Sequence, residues 1–187
     1  SLSEKEKIKL LNKLIKEKNY FVDRIKITNK ENKEVWNTFK QISKTPHECL
    51  GAYVISMTST ASDILSVYFL QMQAKIENFL RVVPLFETLD DLKNANSVMK
   101  NLFKLSWYRK MTSAKQEVMI GYSDSSKDAG KLSASWHQYK LQEELRGLAK
   151  KYRFDLVFFH GRGGSPGRGG GPIQATLKSQ PAGTAVS

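Results

Sequence analysis

EVMIGYSD, residues 117–124, decides the fold, because three other stretches repeat its layout. AYVISM (52–57), VVPLFE (82–87) and LVFFHGR (156–162) are likewise short apolar runs that close on a polar or reactive side chain. Their starts lie 30, 35 and 39 residues apart. A strand, a crossover helix and the next parallel strand take about 30 residues or more, so these intervals predict repeated βαβ units. Nearly every position in the runs is apolar, which predicts parallel strands covered on both faces.

The segments between the runs read as helices. Thr88 is placed to cap one of them, with Asp90 and Asp91 in its first turn, where the helix dipole favours anions. Leu92, Ala95, Met99 and Leu102 then recur at helical spacing. Thr60 caps an earlier helix filled by Ile64, Val67 and Phe69, and Trp136, Leu141, Leu145 and Leu148 form a third stripe towards Arg153. All three stripes read as core packing. Alternating β and α leaves a doubly wound sheet or a (β/α) barrel. The runs end in Ser56, Glu87, Asp124 and then His160 and Arg162. Barrels assemble their sites from the carboxyl ends of several strands, which favours the barrel. Doubly wound sheets bind at the crevice where strand order reverses. Four units make half of an eight-unit barrel. The expected fold is therefore α/β: a partial (β/α) barrel of about four βα units over residues 46–187, preceded by a helical, lysine-rich segment at 1–45.

Composition narrows the function classes. The 187 residues carry 30 basic and 18 acidic side chains, a formal charge of +12. Half of that excess lies in residues 1–45, with twelve basic and six acidic groups. There Lys5, Lys7, Lys9, Lys13, Lys16 and Lys18 alternate with Leu10, Leu11, Leu14 and Ile15 at helical spacing. Such a charge run reads as a solvated helix face, with nucleic-acid or anionic-surface binding as its other use. No apolar run approaches the roughly 18 residues of a membrane span. The opening SLSEKEKIKL lacks a signal-peptide layout, and the single Cys49 suits a reducing cytoplasm. With no methionine at Ser1 and a loop-like run to Ser187, the chain is expected to be a piece of a longer one.

Several residues could carry chemistry. Glu87 and Asp124 each follow a strand directly, so both would project from one rim of the sheet. Two carboxylates without a His cluster or Cys pair match a hard cation such as Mg²⁺ or Mn²⁺ rather than Zn²⁺. Each also has a plainer reading, Glu87 at the start of a helix cap and Asp124 in an Asx turn. Lys127, three residues on, can offer charge to an oxyanion or simply solvate a turn. Residues 161–171, GRGGSPGRGGG, hold seven of the twelve glycines, and their amides and two arginines suit phosphate or carboxylate. The loop lacks the GK[ST] ending of a P-loop, and its two RGG triplets also occur in RNA-binding segments. His47 and His137 lie in ordinary surroundings, whereas His160 ends a strand just before this loop. No Ser-His-Asp or Cys-His arrangement emerges.

AYVISM, PLFETLDDLKNA, VMIGYSDSSKDAG and FHGRGGSPGRGGGP resemble, in order and spacing, the central motifs of phosphoenolpyruvate carboxylase over roughly residues 45–183. The lysine-rich start resembles the helical segment before the first motif. The resemblance implies a central section of a much longer, mostly helical cytoplasmic enzyme that works as a homotetramer. It implies phosphoenolpyruvate and bicarbonate as substrates, oxaloacetate and phosphate as products, and Mg²⁺ or Mn²⁺ as cofactor. The route it implies passes through carboxyphosphate and a metal-stabilised enolate. Glu87 and Asp124 match the family's metal ligands. Lys127 matches an active-site lysine, and His160 and Arg162 match catalytic, substrate-proximal residues. Arg162, Gly163, Gly164 and Arg168 match the substrate-binding loop, and Arg168 is also tied to allosteric inhibition by dicarboxylates.

Two departures stand out. Pro166 occupies a loop position that is usually an aliphatic β-branched residue, and proline removes an amide donor there. The family's histidine motif of the form TAHPTE is absent from these 187 residues, as are further arginines, so the chain alone is expected to be inactive. The alternative function is a non-catalytic RNA-binding module using the basic helix and the RGG-like loop. The carboxylase reading expects neither a nucleic-acid nor a membrane partner.

Overall fold

The computed structural model describes residues 2–122 and 131–161, and positions 174, 178, 180 and 181 beyond them. Six α-helices and four strands alternate along the described chain: α1 (Glu4–Lys16), α2 (Lys30–Ile42), β1 (Ala52–Ile55), α3 (Ala61–Gln73), β2 (Arg81–Phe86), α4 (Leu89–Phe103), α5 (Ser106–Met111), β3 (Lys115–Gly121), α6 (Lys131–Tyr152) and β4 (Asp155–Gly161). They fall into two compact units, residues 1–53 with 60–82, and residues 54–59 with 83–187.

In the first unit α1 packs along α3. Ser3 and Glu6 close α1 with a capping box. Lys5, Lys7, Lys9, Lys13, Lys16 and Lys18 are all exposed, while Ile15 is buried. The charge run is thus a solvated helix face, and the apolar stripe between the lysines makes the packing. Glu4 does more than solvate: its carboxylate accepts the Ser62 amide at 3.0 Å and the Ser62 hydroxyl at 2.7 Å, closing the start of α3. Gln73 at the other end of α3 accepts from the amides of Phe21 and Val22 at 2.8 and 3.0 Å. Buried Gln71 pairs with both backbone groups of Leu80, at 2.7 and 3.2 Å, as a strand neighbour would.

The second unit holds β3, β4 and the carboxyl-terminal parts of β1 and β2, and the strands of the sheet run in the order β1-β2-β3-β4. β2 pairs with β3 and β3 with β4, both parallel. The four apolar runs are therefore strands of one mixed α/β sheet, in sequence order and without reversal. Thr88 caps α4 as the sequence predicts: its hydroxyl accepts the Asp91 amide at 3.1 Å and Asp91 accepts the Thr88 amide at 3.1 Å. Leu92, Ala95, Met99 and Leu102 are all buried, and α4 packs on α6.

Three expectations change. The stripe of α6 runs through Ala134, Gln138, Leu141, Gln142, Leu145 and Leu148, whereas Trp136 is 62% exposed. Trp136 precedes Leu141 by five residues, about 140° around a helix, so the two cannot share one face. Short α5 has no counterpart in the predicted elements. It brings Tyr108 over Phe154, which stacks on Phe103 at 4.0 Å, and the Tyr108 hydroxyl donates to Gln116. Lastly, the strands are not covered on both faces throughout. Val157 and Phe159 are 40% and 51% exposed, while Phe158 between them is buried. Parallel strands gain cover on their second face from a second layer or from barrel closure, and among the described residues these two side chains stay open.

Candidate active site

The carboxyl edge of the sheet carries two rows of residues, set by register. Leu85 lies opposite Met119 and Phe86 opposite Ile120, while Ile120 faces His160 and Gly121 faces Gly161. One more step along β2 brings Glu87 beside Gly121. Because successive side chains leave opposite faces of a strand, Phe86, Ile120 and His160 share one face and Glu87, Gly121 and Gly161 the other. Phe86 and Ile120 are fully buried.

Glu87 is held from two sides. Its carboxylate accepts the Met57 amide at 3.1 Å, just past the end of β1. A Cβ on Gly121 would lie 2.7 Å from Glu87 Cβ and 3.0 Å from its Cα. Only glycine allows the two strand ends to approach so closely. Gly161 next to it would meet the tip of Met119 at 2.6 Å. The row thus sets a hard oxygen donor beside two glycines whose missing side chains let Glu87 and Met119 pack directly against the strand ends.

On the opposite face His160 is fixed by a partner that sequence reasoning missed. The Tyr122 hydroxyl lies 2.8 Å from His160 Nδ1, with the two rings 6.0 Å apart. Tyr122 follows Ile120 by two residues, so strand alternation already assigns it to the histidine's side. That was its only signal in the sequence, since register with a distant strand cannot be read locally. Below it, buried Gln138 of α6 donates to the Gly121 carbonyl at 2.9 Å and ties down the end of β3.

Glu87 and His160 both stand at the carboxyl edge, yet they leave opposite faces of the sheet. Asp124, Lys127, Arg162, Gly163, Gly164, Pro166 and Arg168 lie outside the described residues. Among the described residues no three His, Cys, Asp or Glu side chains gather in one place. The donor chemistry of Glu87 suits an oxygen-seeking cation, and its second ligand would have to come from another stretch. His137 accompanies its own helix, with Nδ1 2.8 Å from the Ser133 carbonyl, and Cys49 is exposed. No helix among the described residues is long and apolar enough to cross a membrane.

A parallel α/β sheet that presents an acid, a histidine and bare glycines along its carboxyl edge has the layout of the α/β enzymes, whose sites lie at that edge. Comparison with known proteins narrows the class. The chain belongs to the phosphoenolpyruvate carboxylase family, whose model matches residues 1–187. It is 55% identical over 148 residues to phosphoenolpyruvate carboxylase 3 of Arabidopsis thaliana, a match that takes in 79% of this chain and 15% of the relative. It is 55% identical over 152 residues to the phosphoenolpyruvate carboxylase of Acinetobacter baylyi (strain ATCC 33305 / BD413 / ADP1), covering 81% of this chain and 17% of that one. With the C4 phosphoenolpyruvate carboxylase of Flaveria trinervia the identity is 53% over 151 residues, 81% of this chain and 16% of the relative. The chain therefore spans about one sixth of the length of these relatives.

Proposed function

We propose that this chain forms the central part of a phosphoenolpyruvate carboxylase, joining phosphoenolpyruvate to bicarbonate to give oxaloacetate and phosphate. Family membership over residues 1–187 carries this reading. It rests on no feature of the basic helix, whose lysines are spent on solvation, and the RNA-binding alternative gains nothing from the comparisons. Sequential strand order without reversal supports four units of a (β/α) barrel rather than a doubly wound sheet. On this reading the exposed Val157 and Phe159 face the barrel interior, and the rest of the barrel comes from the parent chain. By resemblance the parent works as a cytoplasmic homotetramer.

In the proposed reaction a bicarbonate oxygen attacks phosphorus and the bond from phosphorus to the enolate oxygen breaks. The carboxyphosphate then splits into carbon dioxide and phosphate, and the enolate carbon takes up the carbon dioxide. Glu87, with Asp124, would hold Mg²⁺ or Mn²⁺. A bound divalent cation supplies Lewis-acid charge against the negative charge that develops on substrate oxygen. Arg162 and Arg168 would grip phosphate oxygens with paired N–H donors, helped by the amides of Gly163 and Gly164. Lys127 would add charge at the same oxyanion, and His160 would lie beside the loop that carries these arginines. Arg168, as a carboxylate-binding group, would also be where dicarboxylates inhibit. Water must be kept out while carbon dioxide is present.

The test is Glu87→Gln in the full-length protein. The amide oxygen still accepts from Met57, so the fold is kept while one ligand charge is lost. Turnover should fall at least about tenfold, and the Mg²⁺ concentration for half-maximal rate should rise, with an unchanged melting temperature. Full activity at limiting Mg²⁺ would remove Glu87 from the site.

A further inference from the structure

We propose that Tyr122 is a positioning residue for His160, its hydroxyl engaging Nδ1 and so fixing the orientation and protonation pattern of the ring at the carboxyl edge of the sheet. The inference rests on the reading of β4 and the loop after it as part of the carboxylase site. Three observations carry it. The contact is 2.8 Å, a full hydrogen bond, between two half-buried side chains on one face of the sheet. It joins neighbouring strands in register, since Ile120 lies opposite His160 and Tyr122 stands two residues beyond Ile120. The backbone from which Tyr122 springs is itself held, by the 2.9 Å bond from buried Gln138 to the Gly121 carbonyl.

A histidine ring can flip about its outer bond, which puts a ring carbon in the place of each nitrogen. A hydrogen bond at Nδ1 opposes that flip and also selects the tautomer. When the phenol donates to Nδ1, the ring proton sits on Nε2. When Nδ1–H donates to the phenol oxygen, Nε2 is the basic nitrogen. In both cases Tyr122 occupies Nδ1, and the direction of this one bond decides which nitrogen of a neutral ring carries the proton. The same bond links the roots of two stretches, the one after β3 that begins at Tyr122 and the one after β4 that begins at Arg162.

Tyr122→Phe, His160→Asn, His160→Gln and the double variant Tyr122→Phe/His160→Gln in the full-length protein test this, with kcat, KM for phosphoenolpyruvate and melting temperature measured for each. Asparagine keeps an amide near the place of Nδ1, and glutamine reaches the place of Nε2 but offers the phenol nothing. Tyr122→Phe should lower kcat about three- to tenfold, the worth of one neutral hydrogen bond, with KM and melting temperature little changed. Added to His160→Gln, it should cost less than about twofold more, because the bond it removes is already gone. Wild-type kcat in Tyr122→Phe, or a double variant that loses the product of both single effects, overturns the positioning role alone. Wild-type kcat in both His160 variants defeats the site reading of His160, and the positioning role with it.

Discussion

At Gly121 the side chain that is missing matters more than any present beside it. A methyl group there would press on Glu87 Cβ and Cα at 2.7 and 3.0 Å, atoms that cannot swing aside. Gly121→Ala must therefore push the ends of β2 and β3 apart. We expect a loss of about 1–3 kcal/mol in urea unfolding of the full-length protein, the usual cost of overpacking. Because Glu87 moves with the strand, turnover should fall more than about tenfold. Gly161→Ala is the control: its closest contact is the far end of Met119, a side chain that adapts easily, with the Ile120 carbonyl at 3.3 Å, and it should cost less than Gly121→Ala, about 1 kcal/mol. Equal effects at the two glycines would contradict the close approach of Glu87. The sequence displayed both glycines, but the reason for the first lies in a residue 34 positions earlier.

At the scale of elements, α6 holds the site's floor through a polar seam in an apolar stripe. Gln138 gives its amide hydrogen to the Gly121 carbonyl, while the Gln142 amide donates to the Gln138 carbonyl at 3.1 Å. The Gln142 carbonyl oxygen is buried and has no partner among the described residues. The two glutamines should therefore respond oppositely to leucine. Gln138→Leu takes a donor from a strand end and should destabilise by about 1–3 kcal/mol. Gln142→Leu removes an unsatisfied buried carbonyl and should be neutral or stabilising by up to about 1 kcal/mol. Denaturant melts of both variants decide it, and a costlier Gln142→Leu would refute the assignment. Helix caps were legible beforehand at Thr88, because a capping box spans four consecutive residues. The stripe of α6 was legible only in part. Its glutamines look like surface residues until the strand end they serve is known, and Trp136 looks like core until the helix phase is known.

For the whole molecule, the open sheet face is the dominant fact. Val54, Met57, Val157 and Phe159 of the second unit are all substantially exposed, at the strands and just beyond β1. Exposed apolar patches and unpaired strand edges promote association. The 187 residues expressed alone should self-associate and bind a dye such as ANS, as light scattering and fluorescence would report. By resemblance they should also form no oxaloacetate. A monomer that melts cooperatively and binds no dye would show that this face is covered by some other means.

The βαβ rhythm, the caps at Thr60 and Thr88, the buried face of α4 and the family itself were all determined by the sequence alone. Each of these is carried by contiguous residues: a run of apolar positions, a four-residue box, a 3.6-residue period, a motif. Tertiary structure alone decided which strand residue lies beside which. Register places Glu87 against Gly121, sends His160 to the other face, and brings Tyr122 within hydrogen-bonding distance of it. It also decided that Val157 and Phe159 are exposed while Phe158 is buried. The reason is physical: a strand's pattern says that its faces alternate, and only the neighbours supplied by distant parts of the chain say what each face meets.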